Sequence, residues 1–235
     1  MQSAEFVNPY SNYFDVVYED NHLIGVNKRS GVLVQGDTTG DTPLSEYVKN
    51  YLKEKYEKPG NVFAGVIHRL DRPVSGLTLL AKTSKALERM NEQFREKQTR
   101  KIYHALVKNE PPQSEGTLIH WLTKDSKKNV SRAHNKEVTE SKKCELHYKV
   151  IRKTDNYFLL EVQPVSGRSH QIRCQLAAMG CPIKGDLKYG FARSNSDGGI
   201  SLHAYELHFI HPISKENTSI HAPYPIPSSW DMLKI

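Results

Sequence analysis

Three separate stretches of this 235-residue chain carry side chains whose types and spacing could do chemistry. The first, GVIHRLDRPVSGLTLLAKTSKA at residues 65–86, runs an apolar segment into His68, Arg69, Asp71 and Arg72 before turning through Pro73, Ser75 and Gly76. An ionised carboxylate at a half-buried turn needs donors, or it takes up a proton. Asp71 is therefore either the cap of a sharp Pro-Val-Ser-Gly turn or an acid held ready to react. The second stretch, VQPVSGRSHQIRCQLAAMGCPIKGDLKYG, sets Arg168, His170 and Arg173 around a helix start. Its guanidinium at 173 lies beside the apolar stripe Ile172, Leu176 and Met179, so it either snorkels outward or pairs with an acid. The third, TRKIYHALV, places Tyr103 in a β-like run where, taken alone, it reads as a core aromatic.

The surrounding segments must position these groups. FDVVYED, HLIGVNK and GVLVQG read as three short strands, the last ended by Gly36. DTPLSEYVKNYLKEKY reads as a helix with Asp41 or Thr42 as cap, Pro43 at an early position and one apolar face. NVFAGVIHRL and GLTLLAKT are strand candidates on either side of Asp71. SKALERMNEQFREKQ is a helix capped by Ser84, with Leu87, Met90 and Phe94 on one face. TRKIYHALVK and GTLIHWLTK read as strands, and CELHYKVIR with NYFLLEVQPV as a hairpin about Asp155-Asn156. SHQIRCQLAAMG is a short helix capped by Ser169 and closed by Gly180, and ISLHAYELHFIHP a late strand before the Pro-rich wrap APYPIPSSW. Strands and helices without strict alternation indicate an α+β class with a mixed, mainly antiparallel central sheet and flanking helices. We expect a loose tail over 1–13 and a single domain over 14–235.

Charge and composition narrow the partners. A net charge of +7 points to a polyanion, RNA or DNA. Between Lys124 and Lys143, seven Lys or Arg face three acids, a local excess of four that reads as a basic loop. Neither a Gly-rich dinucleotide fingerprint nor a phosphate-binding loop occurs, so no nucleotide cofactor is expected. The eleven histidines form no ligand pair of known spacing, and no metal site is expected. Cys144, Cys174 and Cys181 are too widely spaced for a disulfide framework and read as reduced structural thiols. No apolar run approaches the roughly 20 residues of a membrane span, and the N-terminus lacks a signal core. A cytoplasmic monomer without membrane attachment is the expectation.

Together the motifs resemble those of the RluA-type family of RNA pseudouridine synthases. HRLDRPVSGL resembles that family's HRLD motif, departing from it at Val74, where the first of two hydroxyl residues usually stands; Ser75 keeps the second. GRSHQIRCQLAAMGCPIKGDLKYG resembles the later HQIR motif and the Gly-Asp segment after it. TRKIYHALV is similar to the segment bearing the active-site tyrosine, and LHAYELHFIHP to the late strand. The order and spacing agree over about residues 14–230. The resemblance implies the pseudouridine synthase fold with a central RNA-binding cleft, and a chain without the S4-like domain that many relatives carry in front. It implies Asp71 as catalytic carboxylate, Arg173 as its basic partner and Tyr103 as the residue packing on the target base. It further implies Arg69 as the side chain entering the vacated RNA stack, with His68, Arg168, His170 and Leu202 around the substrate. The expected reaction converts a uridine to pseudouridine without cofactor, in large-subunit ribosomal RNA or else in transfer RNA. A non-catalytic RNA-binding module is the competing class. A hydrolase built on Asp71 and His170 is weaker, because the chain has no nucleophile elbow.

Overall fold

The computed structural model describes residues 6–225 and 230–231, and among them eleven strands join in one mixed sheet. In chain order the elements are β1 (Phe14–Glu19), β2 (Leu23–Lys28), α1 (Leu44–Lys55), β3 (Gly65–Val66), β4 (Ser75–Ala81), α2 (Ser84–Arg95) and β5 (Arg100–Val107). Then follow β6 (Glu115–Asp125), β7 (Val130–His134), β8 (Lys142–Lys153), β9 (Phe158–Pro164), α3 (Gln171–Ala178), β10 (Leu202–Ile210) and β11 (Asn217–His221), with a 3-10 turn at Leu187–Tyr189. The sheet runs β1-β2-β4-β10-β5-β9-β8-β6-β7, with β11 paired to β10 and β3 to β4. Every pair is antiparallel except β4 with β10. This is the α+β arrangement expected from the pattern.

That parallel junction holds the loop carrying Asp71. Ser75 and Gly76 sit opposite His203 and Ala204, and Gly76 has φ 111. A Cβ there would lie 2.4 Å from the Ala204 carbonyl oxygen, so the approach of the two backbones requires glycine. Just upstream, the expected ten-residue strand shrinks to Gly65–Val66. His68 Nε2 accepts the Leu79 N–H at 3.1 Å, taking the place of a ladder carbonyl and releasing the chain into the loop. Thr83, not Ser84, caps α2, its hydroxyl accepting the Ala86 N–H.

Two further expectations fail for one reason. GVLVQG forms no strand, and neither Asp41 nor Thr42 caps α1, whose N-cap is Pro43. The Leu33 and Val34 carbonyls instead accept the N–H groups of Leu44 and Ser45, at 2.6 and 3.3 Å. The segment spends its backbone acceptors on the helix start, so no side-chain cap is needed. The basic stretch after β6 is a loop only in part: β7 folds back on β6 as a hairpin, and residues 135–141 remain irregular before β8. Residues 6–13 are not loose either, since Tyr13 stacks on Tyr47 at 3.9 Å and Phe6 meets Tyr51 edge-on. Residues 1–5 of the expected tail, and 226–229 of the Pro-rich wrap, lie outside the described residues. Within that wrap, Tyr224 stacks on the buried Trp230.

Helix α3 departs from a one-sided pattern. Its first six residues, Gln171 to Leu176, are all buried, because it packs against the β6–β7 hairpin of the sheet and the 3-10 turn at Leu187–Tyr189. Polar side chains survive there by finding partners: Gln171 Nε2 donates to the Glu145 carbonyl and Gln175 Nε2 to that of Leu118. His170, not Ser169, is its N-cap, while Gly180 closes it as expected: Gly180 N–H donates to Ala177 O and Cys181 N–H to Leu176 O.

Two buried imidazoles, His104 on β5 and His203 on β10, fasten these strands to β4 and to the segment after β11. His203 accepts the Ser75 hydroxyl proton at Nδ1 and donates from Nε2 to the Ala222 carbonyl, while His104 Nδ1 meets the Tyr224 hydroxyl at 2.6 Å. Burial pushes His203 down to about 3 and His104 down to about 4. Both stay neutral in the fold at pH 5, whereas the unfolded chain, with histidines near 6.5, is protonated there. These two residues alone should make stability fall by roughly 2–3 kcal/mol per pH unit as pH drops from about 6 to 4.5. Urea unfolding midpoints at several pH values measure this; a flat profile above pH 4.5 would contradict it.

Candidate active site

The turn that presents Asp71 is braced from three directions. Val74 N–H donates to the Asp71 carbonyl at 3.0 Å, closing the turn. Gly31 N–H donates to Arg72 O and Ile200 N–H to Pro73 O, at 2.8 and 3.0 Å. Beneath it lies Lys28, wholly buried, whose ammonium donates to the carbonyls of Arg29, Val32 and Arg72. Burial pushes that ammonium down to about 7, against the pull of the Asp71 charge. Val74, which departs from the family motif, packs into the core rather than bonding the turn.

The basic neighbours of Asp71 in sequence do not hold it. Arg72 turns away to Gly31 O and to the Asp41 carboxylate at 2.8 Å, and Arg69 is exposed. The donor comes from 102 residues later: Arg173 Nη1 reaches Asp71 Oδ2 at 3.1 Å. The same guanidinium makes a two-point pair with Asp186, Nε to Oδ2 at 2.7 Å and Nη2 to Oδ1 at 2.9 Å. Asp186 is 1% exposed, against 28% for the Asp71 side chain. Burial alone would lower Arg173, but the hydrogen bonds and charges of Asp186 and Asp71 outweigh it and raise its pKa. One carboxylate thus anchors the cation and the other is presented by it.

A second donor approaches the same oxygen. His170 Nε2 lies 3.7 Å from Asp71 Oδ2. Its Nδ1 is 2.9 Å from the Tyr189 hydroxyl, which already accepts the Ser131 N–H at 2.8 Å. The Tyr189 proton is therefore free only for Nδ1, which leaves the imidazole proton on Nε2, facing the carboxylate. Burial lowers the His170 pKa and favours this neutral form. His170 also has φ 54, an unusual conformation for a residue with a Cβ. The Tyr189 ring meanwhile packs under the Arg173 guanidinium at 5.0 Å. Both groups that approach Asp71 converge on Oδ2, so Oδ1 is the oxygen left for a ligand.

All eight side chains singled out by sequence line one cleft of about 820 Å³. Asp71, Arg173 and His170 meet within it, with Tyr103 and Leu202 on its wall. Burial and the Asp71 charge push the Tyr103 phenol up, so it is protonated at neutral pH. His68, Arg69 and Arg168 line the cleft without touching the carboxylate. Sequence reasoning missed Asp186, Tyr189, Ser131 and Lys28. The first two stand in the quoted GDLKYG segment, but nothing local marks them; Lys28 reads as an ordinary surface lysine at a strand end. Among the described residues no group of three His, Cys, Asp or Glu could hold a metal, and no helix is long and apolar enough to cross a membrane.

A family model described as RNA pseudouridylate synthase matches residues 22–178. The ribosomal large subunit pseudouridine synthase C of Vibrio cholerae is 34% identical over 224 residues, covering 88% of this chain and 65% of the relative. The chain thus spans about 65% of the length of that relative. The dual-specificity RNA pseudouridine synthase RluA of Pasteurella multocida is 34% identical over 226 residues, covering 95% of this chain and 99% of the relative. In fold, human RNA pseudouridylate synthase domain containing 4 matches with a TM-score of 0.74 at 22% identity, over 90% of this chain and 88% of that one.

The two carboxylates should respond differently to loss of charge. Asp186→Asn strands a buried guanidinium and is expected to cost roughly 3–5 kcal/mol. Asp71→Asn, half-open to the cleft with one direct contact, should cost under about 1 kcal/mol. Equal losses in chemical denaturation would refute this division of roles.

Proposed function

Because the chain belongs to the RNA pseudouridylate synthase family, we propose that it isomerises specific uridines in RNA to pseudouridine, with Asp71 as the catalytic carboxylate. The observation that carries this is the Asp71–Arg173 pair at 3.1 Å, from distant segments, opening on a cleft large enough for an extruded nucleotide. The reaction breaks the N1–C1′ bond of uridine, turns the uracil and joins C5 to C1′; C5 loses a proton and N1 gains one. Arg173 keeps the carboxylate charged and oriented by occupying Oδ2, and Oδ1 faces the ribose and base. Tyr103 packs on the uracil, and Leu202 forms the pocket wall beside it. A stacked uridine cannot offer its glycosidic bond to this carboxylate, so the nucleotide must be flipped out. Arg69, exposed at the cleft mouth, fills the vacated position in the stack.

Large-subunit ribosomal RNA is the proposed substrate, from the name of the Vibrio cholerae relative, with transfer RNA second, from the dual-specificity relative. The β6–β7 hairpin and the strand start after it supply docking charge. Lys124, Lys127, Lys128, Arg132, Lys136, Lys142 and Lys143 are all exposed, and among the described residues none is within 4.0 Å of a carboxylate. Unspent surface cations next to a cleft suit phosphates, whose contacts can offset an extrusion cost of a few kcal/mol.

Asp71→Asn should retain RNA affinity while releasing no tritium from 5-tritiated uridine in unmodified ribosomal RNA; release near the wild-type rate would remove Asp71 from the mechanism. An inactive wild type that binds the same RNA would instead support the non-catalytic module. Arg173→Met should lower the rate at saturating RNA by at least about 100-fold, the scale of losing a positioned charge partner. Replacing Lys124, Lys127, Lys128 and Arg132 by Gln should weaken RNA binding and flatten its salt dependence by roughly 0.7–0.9 per lost phosphate contact. An unchanged slope would place docking elsewhere.

A further inference from the structure

Most cations lining the cleft are already accounted for. Arg173 is spent on two carboxylates, Arg72 on Asp41, and Lys188 donates to the Asn129 carbonyl. Arg69, Lys124 and Arg168 are exposed and solvated. Lys101 differs from all of these. It projects from β5 on the same face as Tyr103, two residues on, and it is half-buried in the cleft. Among the described residues no carboxylate lies within 4.0 Å of it and no hydrogen bond holds its ammonium. A half-buried cation without a counter-charge is unfavourable in the free protein. Burial, reinforced by Lys97, lowers its pKa, as expected for such a charge.

Its surroundings are those of a nucleotide seat. The ammonium lies 5.9 Å from the Phe94 ring centroid, and Phe94 stacks on His68 at 5.1 Å with planes 14° apart. His68 Nε2 accepts the Leu79 N–H, so the ring proton sits on Nδ1, where no acceptor meets it among the described residues. Across from the ammonium, Gly167 has no side chain, and a Cβ there would come within 4.0 Å of Nζ and nothing else. The corner therefore offers an unspent positive charge, a free N–H and an aromatic platform around open space. A phosphate joined to a base satisfies all three.

We propose that Lys101 and His68 bind a backbone phosphate of the RNA strand flanking the extruded uridine, with the base joined to it beside the Phe94 ring. This deepens the reading of the cleft as an RNA-modifying site and rests on it for the uridine, though not for the phosphate. The seat lets binding energy from a neighbouring linkage hold the strand while the target nucleotide is turned out.

Lys101→Met is compared with Lys97→Met, an exposed neighbour of equal charge, using an unmodified large-subunit ribosomal RNA transcript as probe. Lys101→Met should raise KM for tritium release roughly tenfold with kcat within about twofold, and reduce the salt slope of direct binding by about 1. Lys101→Arg should restore both. Because the methionine removes an uncompensated charge, its denaturation midpoint should equal or exceed the wild-type value, which separates lost binding from lost folding. A Lys101→Met chain indistinguishable from Lys97→Met would overturn the proposal, as would a kcat loss at unchanged KM. If the wild type releases no tritium yet the salt-slope difference persists, the isomerase reading fails and the phosphate seat stands.

Discussion

One guanidinium serving two carboxylates of unlike exposure is the constraint around which the cleft is organised. Arg173 is fixed by Asp186, which is sealed from solvent and takes two of its nitrogens. Its third nitrogen can then be offered to Asp71 without the cation being free to swing toward water. A lone buried arginine would be costly, and one paired only with Asp71 would neutralise that acid without orienting it. Because Asp186 supplies the main neutralisation, the triad keeps a net negative charge, and that excess resides on the carboxylate facing the cleft.

Main-chain bonding does the remaining positioning. The carbonyls of Arg72 and Pro73, next to the acid, are claimed by Gly31, Ser30, Lys28 and Ile200, so the turn cannot relax without breaking several buried bonds at once. The parallel β4–β10 contact locks its far end through Gly76. On the opposite wall, the first six residues of helix α3 are buried, and the β6–β7 hairpin reaches its start through Ser131, which donates to both Tyr189 and the Ser169 carbonyl. The proposed RNA-docking hairpin is thereby joined to the residues that set the proton on His170, so a strand lying on that hairpin would bear directly on the cleft.

The charges divide into a spent set and an unspent set. Spent cations build the cleft; unspent ones line its mouth and the hairpin, and among the described residues that line the cleft Lys101 is the unspent cation that is half-buried. Such a distribution weakens the free protein slightly at a few positions and leaves attraction in reserve for a polyanion.

Local patterning made much of this legible. The apolar period of α1 and α2, the alternation in β8, the β-prone runs of β5 and β10, and Gly180 at the end of α3 each act through neighbours in sequence, so they can be read from it. Asp71, Arg173 and Tyr103 are legible as a set only through their resemblance to a family pattern; residue by residue, a turn cap and a core aromatic are the better accounts of Asp71 and Tyr103, and a snorkelling cation is as good an account of Arg173 as a paired one. Tertiary structure alone decided who holds whom. The adjacent Arg69 and Arg72 do not hold Asp71, the α1 start is capped by carbonyls of residues 33 and 34, and His68 ends a strand by standing in for a carbonyl. Asp186, Tyr189 and Lys28 acquire meaning only from partners brought together by the sheet order. A sequence records which groups can donate or accept and the local rhythm of burial, while the pairing of distant donors and acceptors is set by the path of the folded chain.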